Sequence, residues 1–268
     1  MYTHEKIANT VTRIRGCIGE WMYLVEGATQ ALLIDTGIGA GRLDSYVETL
    51  TDKPIVVALT HGHLDHMGGS TLFSSAYLNE LDWSLAATQI DRNRRFAYAT
   101  RGFGANVTLD DFSPEDLPTF LPLCDGQTID LGGGVRVTFF ALPGHSQGCM
   151  TALIENEQML LLGDACSENN FFISPECSSL ENYTQALAAF LPRCAGRYTK
   201  ALSSHRSGML QVDTAYQIHA ICQALLNKKL EGTPFSYMGM NDLYIAYPVD
   251  SKMVRQDGGY GNIIYRKS

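Results

Sequence analysis

The sequence predicts an α/β protein, and three observations carry that expectation. Short apolar runs such as Ala31–Ile34, Ile55–Leu59 and Met159–Leu162 have the length of strands buried on both faces. Longer stretches between them, such as Leu180–Leu191 and Val212–Leu230, have helical length, and the first contains Ala186–Ala189, good helix formers. Titratable residues stand where several apolar runs end, which is where α/β proteins collect their active sites. A chain of 268 residues with 45% hydrophobic content can fill one sizeable core. No Pro- or Ser-rich linker, low-complexity tract or internal repeat divides it, so residues 1–268 read as a single domain.

In chain order, Val11–Ile14, Met22–Val25 and Ala31–Ile34 read as strands, followed by a helix over Arg42–Thr49. The strand Ile55–Leu59 leads into a histidine-rich turn and a short helix. Residues Asn79–Ala99 read as one helix with Leu81, Leu85 and Ile90 on its apolar side. Gly102–Pro122 is broken by prolines and glycines and reads as an irregular flap. Strands follow at Val135–Phe140, Met150–Ile154 and Met159–Leu162, then a helix at Leu180–Leu191, a strand at Ala201–Ser203 and a helix at Val212–Leu230. The segment 235–268 is aromatic, with strand-like alternation at Leu243–Ala246 and Asn262–Tyr265.

The chemistry concentrates directly after Ile55–Leu59. His61, His63, Asp65 and His66 fall within six positions, and a strand period of two points His61 and His63 the same way. Imidazole and carboxylate are ordinary ligands for zinc, iron and similar divalent ions. Asp65 and His66 come where the strand ends, so they can face a second ion, and Gly68 and Gly69 let the backbone bend closely around the site. Three more polar residues end apolar runs: His145 after Val135–Gly144, Asp164 after Met159–Gly163, and His205 after Ala201–Ser204. A lone histidine at such a place is ordinarily a satisfied polar residue near a turn. Beside the HxHxDH string, ligand duty is the better reading.

With these residues in this order, the chain resembles the metallo-β-lactamase superfamily. His61, His63, Asp65 and His66 match its HxHxDH motif, Pro143-Gly144-His145-Ser146 its next histidine, Gly163-Asp164-Ala165 its metal-bridging aspartate, His205 its last histidine, and Asp35 its early structural aspartate. The resemblance implies a four-layer αββα sandwich. It implies that His61, His63 and His145 hold one metal, that Asp65, His66 and His205 hold the other, and that Asp164 bridges both. Two divalent ions roughly 3.5–4 Å apart, zinc in the first instance with iron or manganese as alternatives, would share a hydroxide that attacks a carbonyl carbon or a phosphorus. Asp65 would then be the catalytic residue that passes the proton to the leaving group, and Asp35 would steady a ligand from behind.

The expected activity is metal-dependent hydrolysis of a small ester, thioester or lactone. True β-lactamases of the superfamily are exported and generally lack the bridging aspartate that Asp164 matches. Lactonases place a tyrosine where this chain has Ser167. Glyoxalase-II-like thioesterases share the ligand set, although Lys252 and Arg255 are only a loose match for their basic residues. Phosphodiesterase relatives also use these ligands. A redox alternative is a persulfide dioxygenase-like enzyme with one iron on His61, His145 and Asp164. A binding protein that leaves the full ligand set idle is the least favoured class, because buried ionisable groups need partners.

The net charge of −8 disfavours a broad nucleic-acid face. Arg92, Arg94, Arg95 and Arg101 form one basic cluster, which reads as a solvated helix end. The N-terminus lacks the apolar core of a signal peptide, and no run approaches the length of a membrane span. The seven cysteines, without a CxxC pair, read as free thiols of a cytoplasmic protein. Cys166, two residues after Asp164, reads as a small core residue. The expected partner is a small molecule, bound between Gly102–Pro122 and the aromatic tail. Nothing in the sequence sets an oligomeric state.

Overall fold

The computed structural model describes residues 1–266. Two sheets stack face to face. The first runs in chain order from β1 (Thr3–Lys6) through β2 (Val11–Arg15), β3 (Trp21–Glu26), β4 (Ala31–Ile34), β5 (Ile55–Ala58) and β6 (Ser75–Leu78) to β7 (Thr119–Pro122). Its first half is antiparallel, and β4 to β7 are parallel. The second contains β8 (Thr128–Asp130), β9 (Arg136–Ala141), β10 (Met150–Ile154), β11 (Met159–Leu161), β13 (Lys200–Leu202) and β14 (Met209–Leu210). A smaller third sheet is ordered β12 (Asn169–Phe172), β17 (Asn262–Arg266), β16 (Met240–Ile245), β15 (Thr233–Tyr237).

Strand alternation builds the layers. Tyr23 and Val25 face Val137, Phe139 and Leu161 in the core between the two large sheets. Their neighbours Met22 and Leu24 face the other way, onto Leu43 and Val47 of α1 (Leu43–Glu48). In the second sheet Phe139 points inward, while Phe140 packs on Leu187 and Phe190 of α5 (Leu180–Cys194) and, with it, the Ile218 face of α6 (Thr214–Leu226). Covered on both faces, stretches such as Trp21–Val25 and Ala31–Ile34 are apolar without alternation. The result is the expected αββα sandwich.

Two expectations need correction. Asn79–Ala99 is not one helix. The Asn79 side chain accepts from Leu81 N at a short 3₁₀ turn. α3 (Trp83–Gln89) then stops, and Asp91 starts α4 (Arg92–Ala97) by accepting from Arg94 N at 2.6 Å. An aspartate that satisfies a free helix N–H serves better as a cap than as an interior residue. Second, Gly102–Pro122 is irregular only in part: its last four residues are β7, an edge strand parallel to β6. Prolines are tolerated at a sheet edge, so Pro122 does not break the strand. Smaller differences are the earlier end of α6 at Leu226 and the extension of α5 through Pro192 to Cys194.

Candidate metal centre

The sandwich brings its loops together at one end. β5 leads into Thr60–His63, and His63 is the N-cap residue of the short helix α2 (Leu64–Met67), so Asp65 and His66 lie in that helix's single turn. His145 lies between β9 and β10, Asp164 follows β11, and His205 follows β13. Parallel β11 and β13 deliver the last two side by side. All seven expected ligand residues are brought into one cluster.

Their donor atoms face one another. His63 Nδ1 lies 3.0 Å from His61 Nε2 and 2.9 Å from His145 Nε2. On the other side, His66 Nε2 is 3.3 Å from His205 Nε2. Asp164 Oδ2 sits between the two groups, 3.2 Å from His205, 3.5 Å from His66 and 3.7 Å from His145. Asp65 completes the second group, with Oδ2 3.7 Å from His205 and Oδ1 3.9 Å from His66. His61–His63–His145, His61–His66–Asp164 and Asp65–His66–His205 each have spacings that allow them to hold an ion.

The residues fit a metal for two reasons. Donors about 2.0–2.1 Å from a tetrahedral ion stand about 3.3 Å apart, close to these spacings. Among the described residues, the buried Asp164 Oδ1 has moreover no hydrogen-bond partner, and an orphaned carboxylate oxygen inside a protein needs a compensating charge.

Each inward-facing imidazole is steadied from behind where its outer nitrogen finds a partner. His66 Nδ1 donates to Asp35 Oδ2 at 2.9 Å, and Asp35 also accepts from Thr60 N at 2.7 Å. Asp35 adopts a left-handed φ of 64°, which aspartate tolerates better than most residues. His63 Nε2 meets Glu176 at 2.9 Å, His145 Nδ1 meets the Phe171 carbonyl at 3.2 Å, and His61 Nδ1 meets Thr60 Oγ1 at 3.1 Å. Buried Asp82 accepts from Gly62 N, Gly148 N and Ser146 Oγ, tying the loop of His61 to the loop of His145.

Burial, then the neighbouring imidazoles, hold His61 well below the ordinary histidine range, and burial with His63 brings His145 down to about 4. Both are therefore neutral at pH 7, the form that binds a metal. Burial also disfavours charge on His66 and His205, but the Asp164 carboxylate, joined by Asp65, outweighs it and raises both. For Asp164, burial is overcome by His205 and His66, which keep it well below the usual carboxylate range. A divalent cation can replace the protons that would otherwise neutralise this cluster.

Glu176, Asp82 and Tyr98 carried no signal in the sequence. Glu176 lies in a loop, and Asp82 and Tyr98 sit in the stretch expected to be one helix. The Tyr98 hydroxyl donates to Asp65 Oδ2 at 3.4 Å, and Asp65, with burial, pushes the phenol above its usual range, so it stays protonated. The Ser167 hydroxyl donates to the Asn169 carbonyl at 2.8 Å and is thereby engaged within its own turn. Cys166 is fully buried in the α5–α6 core, its thiol pushed up to about 12 by burial, as expected of a packing residue. Arg95 departs from the solvated-cluster reading. It is fully buried and donates to the carbonyls of Ile90, Gly68, Ser113 and Pro114.

A helix-flanked double sheet with a His/Asp cluster at its end defines an αββα protein whose clustered side chains have the spacing to hold metal ions. The family model described as the metallo-beta-lactamase superfamily matches residues 15–191, and the chain belongs to that superfamily. Among curated proteins it is similar to the acyl-coenzyme A thioesterase MBLAC2 of Homo sapiens, 25% identical over 60% of this chain and 63% of that protein. It is also similar to the atrochrysone carboxyl ACP thioesterase of Aspergillus fumigatus, 27% identical over 62% of this chain and 44% of that protein. The chain thus spans less than two thirds of these relatives' length. A metallo-beta-lactamase from Pontibacter korlensis shares the fold, with a TM-score of 0.63 and 17% identity over 83% of this chain and 99% of that one.

Proposed function

We propose that this protein is a metal-dependent hydrolase of small acyl thioesters working with two divalent ions, zinc in the first instance. The observation that carries the reading is the convergence of seven His and Asp side chains, with Asp164 Oδ2 between the two donor groups. The thioesterase names of the human and fungal relatives favour a thioester over an oxygen ester or lactone. In this reading His61, His63 and His145 hold one ion, Asp65, His66 and His205 the other, and Asp164 both.

When bound, such ions activate water at neutral pH and polarise a carbonyl. The chain's residues do the rest. Asp65 accepts the proton of the attacking water and delivers it to the departing sulfur, so that water's oxygen bonds to the acyl carbon, the C–S bond breaks, and acid and thiol leave. Tyr98 holds Asp65 in place through Oδ2. Asp35, Thr60, Glu176 and the Phe171 carbonyl keep the imidazoles turned inward. The seven cysteines, all free thiols, support a reducing, cytoplasmic setting. Among the described residues no helix is long and apolar enough to cross a membrane.

Elemental analysis followed by a panel of thioester, oxygen ester, lactone, β-lactam and phosphodiester substrates tests the reading. Two ions per chain with thioester turnover well above the rest is the expected result, and Asp164→Ala should lose one ion and nearly all turnover. One iron per chain with oxygen uptake would refute it.

A further inference from the structure

Two arms from unconnected parts of the chain meet beside the metal centre. One is the π turn Tyr98–Gly102 that continues α4, where the rings of Tyr98 and Phe103 lie 5.1 Å apart. The other is the β15–β16 hairpin, where Tyr237 lies 4.8 Å from Phe171 of β12 and Met238 forms the tip. Both are anchored on the centre, Tyr98 through its hydroxyl on Asp65 and Phe171 through its carbonyl on His145. The arms come together at their ends: a β-carbon on Gly102 would stand 3.7 Å from Met238 Cε.

These polar groups are engaged by the protein, so the arms offer rings and a thioether to whatever lies between them. Phe103 and Met238 remain 47% and 57% exposed, an apolar rim next to a polar cluster. The Arg206 guanidinium is bound to Glu168 at 3.4 Å and to the Lys252 carbonyl at 3.0 Å.

The conformation of Met238 points the same way. Tyr237 pairs with Met240 across a two-residue turn in which Met238 has φ 48° and Gly239 φ 83°. Hairpin turns with two left-handed residues favour Asn, Asp or Gly at the first position. Methionine there carries backbone strain and an exposed apolar chain, and gains nothing for the turn. An outlier of that kind beside a reactive centre suggests a functional use, and methionine adapts readily to apolar ligands.

We propose that the space between the arms receives the acyl group of the substrate and selects an extended apolar chain over a short one. This rests on the thioesterase reading and names the substrate class within it. The test compares octanoyl- and acetyl-coenzyme A with the zinc-loaded wild type, Met238→Asn, which keeps the turn, and the Met238→Asn/Phe103→Ser double variant. The wild type should favour octanoyl in kcat/KM. The octanoyl-to-acetyl ratio should fall about tenfold in the single variant and further in the double, as expected when apolar burial is lost from a ligand site. An unchanged ratio in both variants would overturn the proposal. If the wild type cleaves neither thioester, the proposed function fails, and binding of the thioether S-octyl-coenzyme A then decides this inference separately. Binding at least tenfold weaker in the double variant supports it, and equal binding overturns it.

Discussion

Replacing Asp35 with asparagine isolates the support behind one ligand. The side chain keeps its shape, and asparagine tolerates the left-handed φ of 64°, so the backbone has no reason to move. Thr60 N can still donate to the remaining carbonyl oxygen. The amide nitrogen, however, now faces His66 Nδ1, where a carboxylate oxygen accepted at 2.9 Å. Two donors cannot pair, so His66 must shift its proton to Nε2, the atom that faces His205 and Asp164. A hydrogen bond to a charged group contributes about 1.5–3 kcal/mol net. At about 1.4 kcal/mol per tenfold, the ion held by His66 should bind roughly 10–100-fold more weakly, the range usual for outer partners of metal ligands. Equilibration in zinc buffers of graded free concentration, followed by elemental analysis, reads the affinities, and circular dichroism verifies the fold. Wild-type zinc affinity at both sites in a folded Asp35→Asn protein would refute the reasoning.

Glu176→Gln should weaken zinc binding by about tenfold through His63 while leaving thermal stability in chelator nearly unchanged, since the side chain is partly exposed in a loop; a binding isotherm beside a melting curve checks both. Arg95→Met should cost about 3 kcal/mol or more in urea unfolding, because the fully buried guanidinium's bonds to the carbonyls of Ile90, Ser113 and Pro114 are lost together and only the Gly68 carbonyl keeps a second donor, Ser113 Oγ. Burial lifts Glu20 to about 7 despite its bonds from Ile38 N and Ile18 N. The folded state therefore holds this proton more tightly than the unfolded state does. Its contribution is full below about pH 4.5, the unfolded value, and is lost as pH rises through 7. The fall in melting temperature between pH 5 and 8, measured in chelator, should be shallower in Glu20→Gln than in the wild type.

The clustering of the seven His and Asp residues was legible because several constraints coincide on them. His61, His63, Asp65 and His66 follow a strand whose end is fixed by its own apolar run, and His145, Asp164 and His205 follow others. The sandwich was legible for a related reason: β3 as far as Val25, β4 and β11 are covered on both faces and so write uninterrupted apolar runs. Positions whose roles depend on distant partners were not legible. Glu176 serves a histidine 113 residues earlier, and no local pattern distinguishes it from a solvated loop glutamate. Arg95 looked like one of several surface arginines until the Ile38–Gly39 and Ser113–Pro114 segments closed over it. Asp91 reads equally well as a helical surface residue or as a cap, and only the change in chain direction decides.

His61 and His205 are separated by more than half the chain, and Asp164 and His205 arrive on the last two parallel strands of the second sheet. No fragment ending before β13 contains the complete set. In the proposed two-ion reading, tight uptake of the ion on Asp65, His66 and His205 requires the long-range docking of one sheet on the other, the kind of contact that forms slowly. Metal capture becomes a report on completed folding: during refolding, zinc binding should lag the recovery of secondary structure, and chains that stall half-assembled stay unloaded and inert.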